Sequence, residues 1–215
     1  MQRVLPLLLF ALTTLLCTST RAADIRELEE RVKKLEERLV ALEARSAPTS
    51  QPGQAPREII DAAIRKARQR MAQDSKKYTR EQLREAEQLY QVANHNWRSP
   101  EAQESLKKMV EKYPDVNRTG CAILYLGQMS EGAEREKHLK EAIEKYSDCF
   151  YGNGVQVGAF ARWLLGAYYQ ENNQPEKAKP LLDELLKDYP NAIGHHGELL
   201  SKAVGELSPT PQPSQ

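Results

Sequence analysis

The chain has 215 residues, with 31 basic side chains against 30 acidic ones and a formal net charge of +1. That balance removes the electrostatic argument for nucleic acid or a polyanionic surface as a partner. Once the polar and apolar terminal segments are set aside, the length leaves room for one modest globular domain.

Arg3 is followed by the apolar run from Val4 to Leu16 and then by small residues up to Ala22 and Ala23. A basic start, a short apolar stretch and a small-residue end form the pattern of a secretory signal peptide over residues 1–23. The run is too short for a comfortable membrane span. The expected location is therefore periplasmic or otherwise extracytoplasmic. Cys17 opens an alternative, a lipid-modified N-terminus, against which stands Leu16 where a small residue is usual. Removing the peptide leaves Cys121 and Cys149, an even pair and so a disulfide candidate in an oxidising compartment.

Residues 24–45 carry a heptad seam. Ile25, Val32 and Leu39 fall at a, and Leu28, Leu35 and Leu42 at d, a stripe that is useful only when buried against another helix. Arg31 and Arg38 fall at g while Glu36 and Glu43 fall at e, which favours parallel helices pairing g with the next e' position. The segments from Arg31 to Glu36 and from Arg38 to Glu43 resemble the short trimerisation motif of three-stranded coiled coils. A homotrimer is the expected state, with a homodimer as the alternative. So short a helix gains its order by association. Residues 46–57 follow as a flexible linker, with Pro48, Pro52 and Pro56 and no apolar periodicity.

From there the pattern is helical almost to the end, over Arg57 to Gln73, Thr79 to His95, Pro100 to Lys112, Arg118 to Met129, Gly132 to Lys145, Val155 to Glu171, Gln174 to Asp188 and Ile193 to Gly205. Short connections predict antiparallel hairpins in a domain spanning 58–206. A recurring terminator orders them: Tyr113-Pro114, Tyr146-Ser147 and Tyr189-Pro190 each follow a helix rich in Lys and Glu. The last hairpin resembles a tetratricopeptide repeat, with Leu165, Gly166 and Tyr169 on its first helix, Ala178 and Leu182 on its second, and Pro190 at its end. Earlier hairpins keep Leu89, Ala102 and Leu106, then Leu126, Gly127 and Ala142. They depart from the pattern with Tyr90 at the small-residue position and with an insertion from Asp148 to Gly154. Residues 207–215 are a proline-rich polar tail.

Cys121 starts one helix of the middle hairpin and Cys149 lies just past the end of the other. Antiparallel packing makes a bridge between them geometrically reasonable, and two buried thiols are the alternative. No residue set assembles into a catalytic or metal centre. Adjacent His195 and His196 with Glu198 point in different directions on a helix, and the glycines from Gly152 to Gly158 lack the strand and lysine of a phosphate loop. Asn117-Arg118-Thr119 has glycosylation spacing, but Asn117 or Thr119 as a helix cap is the preferred reading. No cofactor or small-molecule substrate is implied. What remains is a recognition surface, with Tyr90, Trp97, Tyr125, Phe150, Tyr151, Trp163 and Tyr168 as candidate anchors for a protein partner.

The order of signal peptide, short trimer-like coiled coil, proline-rich linker and tetratricopeptide-like domain resembles the periplasmic Tol-Pal-associated cell division coordinator family of Gram-negative bacteria. The resemblance implies a coiled coil that trimerises through Leu28, Val32, Leu35 and Leu39. It also implies repeats that engage envelope proteins, linking outer-membrane constriction to peptidoglycan synthesis. The expected fold class is thus all-α, a short parallel coiled coil followed by a tetratricopeptide-like array of antiparallel hairpins. The expected role is a non-catalytic adaptor in envelope maintenance or cell division. The alternatives are a lipid-anchored outer-membrane assembly factor and an accessory subunit of an envelope enzyme.

Overall fold

The computed structural model describes residues 30–34, 36–38 and 53–207. Ile25, Leu28, Leu35, Leu39, Leu42 and Glu43, with the signal peptide, most of the linker and the tail, lie outside the described residues. Within the N-terminal segment, residues 30–34 and 36–38 are helical and exposed, and Val32 is 53% accessible.

The rest of the described chain is all-α, and its first seven helices are α1 (Arg57–Asp74), α2 (Arg80–His95), α3 (Pro100–Lys112), α4 (Asn117–Met129), α5 (Gly132–Lys145), α6 (Val157–Glu171) and α7 (Pro175–Asp188). A final short helix, α8, spans Leu200–Leu207. Helix pairs α2/α3, α4/α5 and α6/α7 pack as consecutive hairpins, each also touching the next, and α2, α4 and α6 are neighbours in turn. Local chemistry explains the boundaries. Thr79 and Gln82 form a reciprocal capping box at the start of α2, and Ser99 caps α3 with Pro100 in its first turn. Each hairpin ends on its tyrosine: the N–H groups of Tyr113, Tyr146 and Tyr189 donate to the carbonyls of Met109, Ala142 and Leu185.

Within hairpins the glycines set the helix approach. A Cβ on Gly166 would lie 2.6 Å from Leu182 Cδ2, and one on Gly127 would lie 2.9 Å from Leu139 Cδ2. The first hairpin has Tyr90 instead, buried and stacked on Tyr125 with ring centroids 5.6 Å apart.

The end of the array that carries the connections between hairpins is crossed by α1. Arg70 Nη1 donates to Asp74 Oδ1 at 2.7 Å and its Nε to Asp148 Oδ2 at 2.9 Å, while Asp74 Oδ2 accepts the Asn117 N–H at 3.0 Å. The insertion after α5 is an ordered turn, pinned by Tyr151 N–H to Val155 O and Val157 N–H to Cys149 O. Gly154 in that turn has φ +94°, and a Cβ there would meet Ala63 Cβ and the Ile64 nitrogen at 2.9 Å. Only glycine satisfies both the left-handed backbone and the close approach of α1. Ala55 N–H donates to Gly197 O at 2.8 Å, so the last linker residues are held at the far end of the same strap.

Several expectations need correction. Cys121 and Cys149 form no disulfide; both are free and buried. The reason is rotational: Cys149 faces Gly120, where a Cβ would lie 2.8 Å from its Sγ, and Cys121 sits one residue further round α4. The Cys121 thiol instead lies 3.5 Å from Phe150 O, and that of Cys149 lies 3.8 Å from Arg70 Nη2. Burial pushes the Cys149 thiol up to about 12 and raises Cys121 as well, so neither is a ready thiolate.

Neither Asn117 nor Thr119 caps α4, whose N-cap is Val116. Asn117 is fully buried, donating its Nδ2–H to Phe150 O at 2.7 Å and accepting the Phe150 N–H on Oδ1 at 2.8 Å. An amide used in this way is closed to glycosylation in the folded domain.

The last helix begins at Leu200, not Ile193. Residues 192–200 make a tight turn in which Gly194 N–H donates to Glu198 O and Gly197 has φ +81°. The apolar spacing of Ile193, Leu200 and Val204 looked helical, but the two glycines bracketing the histidines allow the chain to reverse there. His195 then lodges edge-on between Tyr151 and Phe160, with centroids 4.7 and 4.8 Å away.

Candidate protein-binding site

The seven aromatic candidates separate into two groups. Tyr90, Phe150 and Tyr151 are 1%, 7% and 6% accessible, so in this structure they fill the core and are not surface anchors. Tyr125 is half-buried, with its hydroxyl on Asn94 Oδ1 at 3.0 Å. Trp163 is half-buried against Phe160 at 5.4 Å, and its indole Nε1 is enclosed without a hydrogen-bond partner. Trp97 is 43% accessible and Tyr168 is half-buried.

Trp97 and Tyr168 belong to the opposite end from α1, where the chain turns within each hairpin. Trp97 sits in the four-residue turn between α2 and α3, beside Arg98, whose guanidinium carbon lies 4.3 Å from the indole centroid. Tyr168, near the end of α6, has the Arg135 guanidinium 5.8 Å from its ring. Beside Trp97 lies a cleft of about 220 Å³ lined by Trp97, Arg98, Gly127, Gln128, Arg135, Leu139 and Leu164. Gln128 Nε2 is buried there and has no acceptor. Arg135 Nε donates to Ser130 O at 3.0 Å, which fixes the side chain across the short α4–α5 turn.

Residues 160–192, covering all but the first three residues of α6, then α7 and the following turn, match the family model of the tetratricopeptide repeat. No curated protein and no solved structure matched the chain. The matched repeat contains Leu165, Gly166, Tyr169, Ala178 and Pro190. Four of these are buried between α6 and α7, and Pro190 is exposed just beyond α7. The Leu126-Gly127 pair against Leu139 repeats the Leu165-Gly166 arrangement against Leu182, so the hairpin before the match packs in the same manner.

Among the described residues no group of three or more His, Cys, Asp or Glu side chains is placed to hold a metal ion. His195, His196 and Glu198 do not converge: the His196 backbone N–H donates to Glu198 Oε2 at 3.0 Å while His195 turns toward the aromatic rings. The all-α repeat architecture is consistent with a non-catalytic scaffold. Among the described residues no helix is long and apolar enough to cross a membrane.

Arg98, Gln128 and Arg135 were not singled out from sequence. Arg98 is the one with a local signal, a basic residue beside an unburied tryptophan in an interhelical turn. Gln128 and Arg135 are ordinary polar residues until the hairpins place them together.

Proposed function

We propose that this chain is a non-catalytic, self-associating adaptor that works outside the cytoplasm and holds protein partners on its helical hairpins. The observation that carries the reading is the tetratricopeptide match over residues 160–192, with its packing repeated in the preceding hairpin. Stacked hairpins of this kind expose extended surfaces suited to peptides and helices, and aromatic residues such as Trp97 and Tyr168 supply contact energy at low entropic cost.

The heptad seam from Ile25 to Leu42 supports a homotrimer, and a homodimer is the second possibility. The apolar segment before Ala23 supports the extracytoplasmic location. Resemblance to the cell division coordinator family suggests envelope proteins as partners and a task in envelope maintenance or division. An oligomer bearing several weak recognition surfaces binds a multivalent partner far more tightly than one surface does.

Crosslinking from envelope extract tests this, with the full chain and a form lacking residues 24–45 as parallel baits. The expected result is the same partner set with lower recovery for the shortened bait. Equal recovery, together with a monomer in sedimentation of the full chain at micromolar concentration, would remove self-association from the proposal. Absence of any reproducible partner would remove the adaptor role.

A further inference from the structure

The strap α1 touches the rest of the domain along one side, at Ile60 beside Gly197, at Ala63 and Ile64 beside Gly154, and at Arg70 through Asp148. Ile59, Ala62, Ala63 and Lys66 recur at helical spacing on the adjoining flank, where α1 stands clear of the turn that follows α7. The result is a cleft of about 360 Å³, within the size range of clefts that hold ligands. Its other wall is Tyr189, Pro190 and Ala192, with Phe150 and Gly154 completing the lining. Ile59, Ala62, Ala63, Tyr189 and Ala192 are only half-buried, so the core leaves apolar surface uncovered there.

The polar lining narrows the choice of occupant. Lys66 and Asn191 are exposed donors, and Lys66 forms no ion pair among the described residues. Glu58 and Asp188 also line the cleft, which disfavours an acidic segment. What fits is an apolar stretch without acidic side chains that offers carbonyl oxygens. Residues 208–215, Ser-Pro-Thr-Pro-Gln-Pro-Ser-Gln, have that chemistry and lie outside the described residues. Proline at every second position favours polyproline II, whose carbonyls make no internal hydrogen bonds, and such segments dock on grooves with aromatic walls.

Reach is sufficient. The Leu200 N–H donates to Ala192 O at 2.9 Å, so α8 starts at the edge of the cleft, and its eight residues end about 12 Å along its axis. Eight further residues at about 3.1 Å each extend roughly 25 Å, enough to return over that distance and lay about four residues in the cleft.

We propose that residues 208–215 seat in this cleft as a polyproline segment, bridging α1 and the turn after α7 and so closing the strap from outside. The assignment is independent of the adaptor reading, whose aromatic anchors lie at the opposite end of the hairpins.

Isothermal titration with the synthetic peptide Ser-Pro-Thr-Pro-Gln-Pro-Ser-Gln tests it, using the full chain and a full-length variant carrying Pro209→Ala, Pro211→Ala and Pro213→Ala. The tethered segment acts at about millimolar effective concentration, so a peptide of about 0.1 mM affinity should bind the wild type roughly tenfold more weakly than the variant. Ala62→Gln added to the variant fills the cleft and should abolish binding, with the urea midpoint as the folding control. Asn191→Ala, at an exposed position, is the second cleft change and should weaken binding several-fold. Without added peptide, hydrogen exchange from Ile59 to Lys66 should be faster in the proline variant than in the wild type. No binding to the proline variant, or binding that survives both cleft changes, would overturn the site. Equal affinity for variant and wild type would overturn the assignment to this chain's own segment and give the cleft to a proline-rich stretch of another protein. Exchange in α1 that ignores the prolines would overturn the closing role.

Discussion

The two ends of the hairpin array are built on opposite rules. Where the chain passes between hairpins, its polar groups are paired internally: Asn117 holds both backbone groups of Phe150, and Asp74 takes the Asn117 N–H and one arm of Arg70. Where the chain turns within hairpins, Trp97 and Arg98 face solvent and Gln128 Nε2 has no acceptor. Buried polar networks that are complete rigidify a structure, and incomplete ones do not. The α1 end is therefore the part that holds the array together, and the turn end is the part free to recognise something.

The comparison is broken most severely at Asn117. Asn117→Ala leaves the Phe150 N–H and carbonyl unmatched in a fully buried site, and a loss of about 3 kcal/mol is expected in urea unfolding of the full chain. Asn117→Asp keeps the acceptor but sets a buried carboxylate oxygen against the Phe150 carbonyl, so at neutral pH a loss at least as large should follow. If both variants unfold at the wild-type midpoint, the α1 end is not where stability resides. Gly154→Ala is the next step down. It forces a left-handed backbone on alanine and pushes a methyl into Ala63 and Ile64, with about 2 kcal/mol lost. Hydrogen exchange should show the loosening first in α1, and uniform exchange across all helices would contradict a strap.

Much of the fold was legible because hairpin punctuation is local. The helices Pro100–Lys112 and Gly132–Lys145 have the boundaries that their proline, glycine and tyrosine signals suggest, and Tyr113, Tyr146 and Tyr189 became C-caps. The turn before α8 was not legible, since Ile193, Leu200 and Val204 keep a helical spacing that Gly194 and Gly197 override only once His195 has an aromatic slot to enter. Cys121 and Cys149 looked bridgeable because sequence places helix ends but not the angle at which each side chain leaves the helix. Of the site, Trp97 and Tyr168 were visible as aromatics with no clear place in the repeat pattern. Arg98, Gln128 and Arg135 were not, because their meaning comes from three hairpins meeting and not from any spacing along one helix.

Acidification probes the middle hairpin more gently. His138 on α5 is held below its ordinary value of 6.5 chiefly by burial, with Glu134 opposing the shift, and its Nδ1 has no partner. The unfolded chain therefore takes up this proton before the folded one, so stability is full above about pH 6.5 and declines as pH falls toward the folded pKa. Urea midpoints at pH 7.5 and pH 5 should differ in that direction, and His138→Gln should narrow the difference. An unchanged difference would show that other groups carry the acid sensitivity.

The smallest expected effect is at the open end. Trp97→Ala removes a large side chain, but one that is 43% accessible and whose neighbour is the Arg98 guanidinium 4.3 Å from its ring. Exposed cation–π contacts are weak, and surface truncations away from a packed core fall near 0.5 kcal/mol, so the urea midpoint should barely move. The same variant should lose partner recovery in crosslinking, because an exposed tryptophan contributes little to holding the fold and much to holding a partner. If Trp97→Ala instead unfolds the domain as readily as Asn117→Ala, the turn end is as structural as the strapped end and the division of labour between them does not exist.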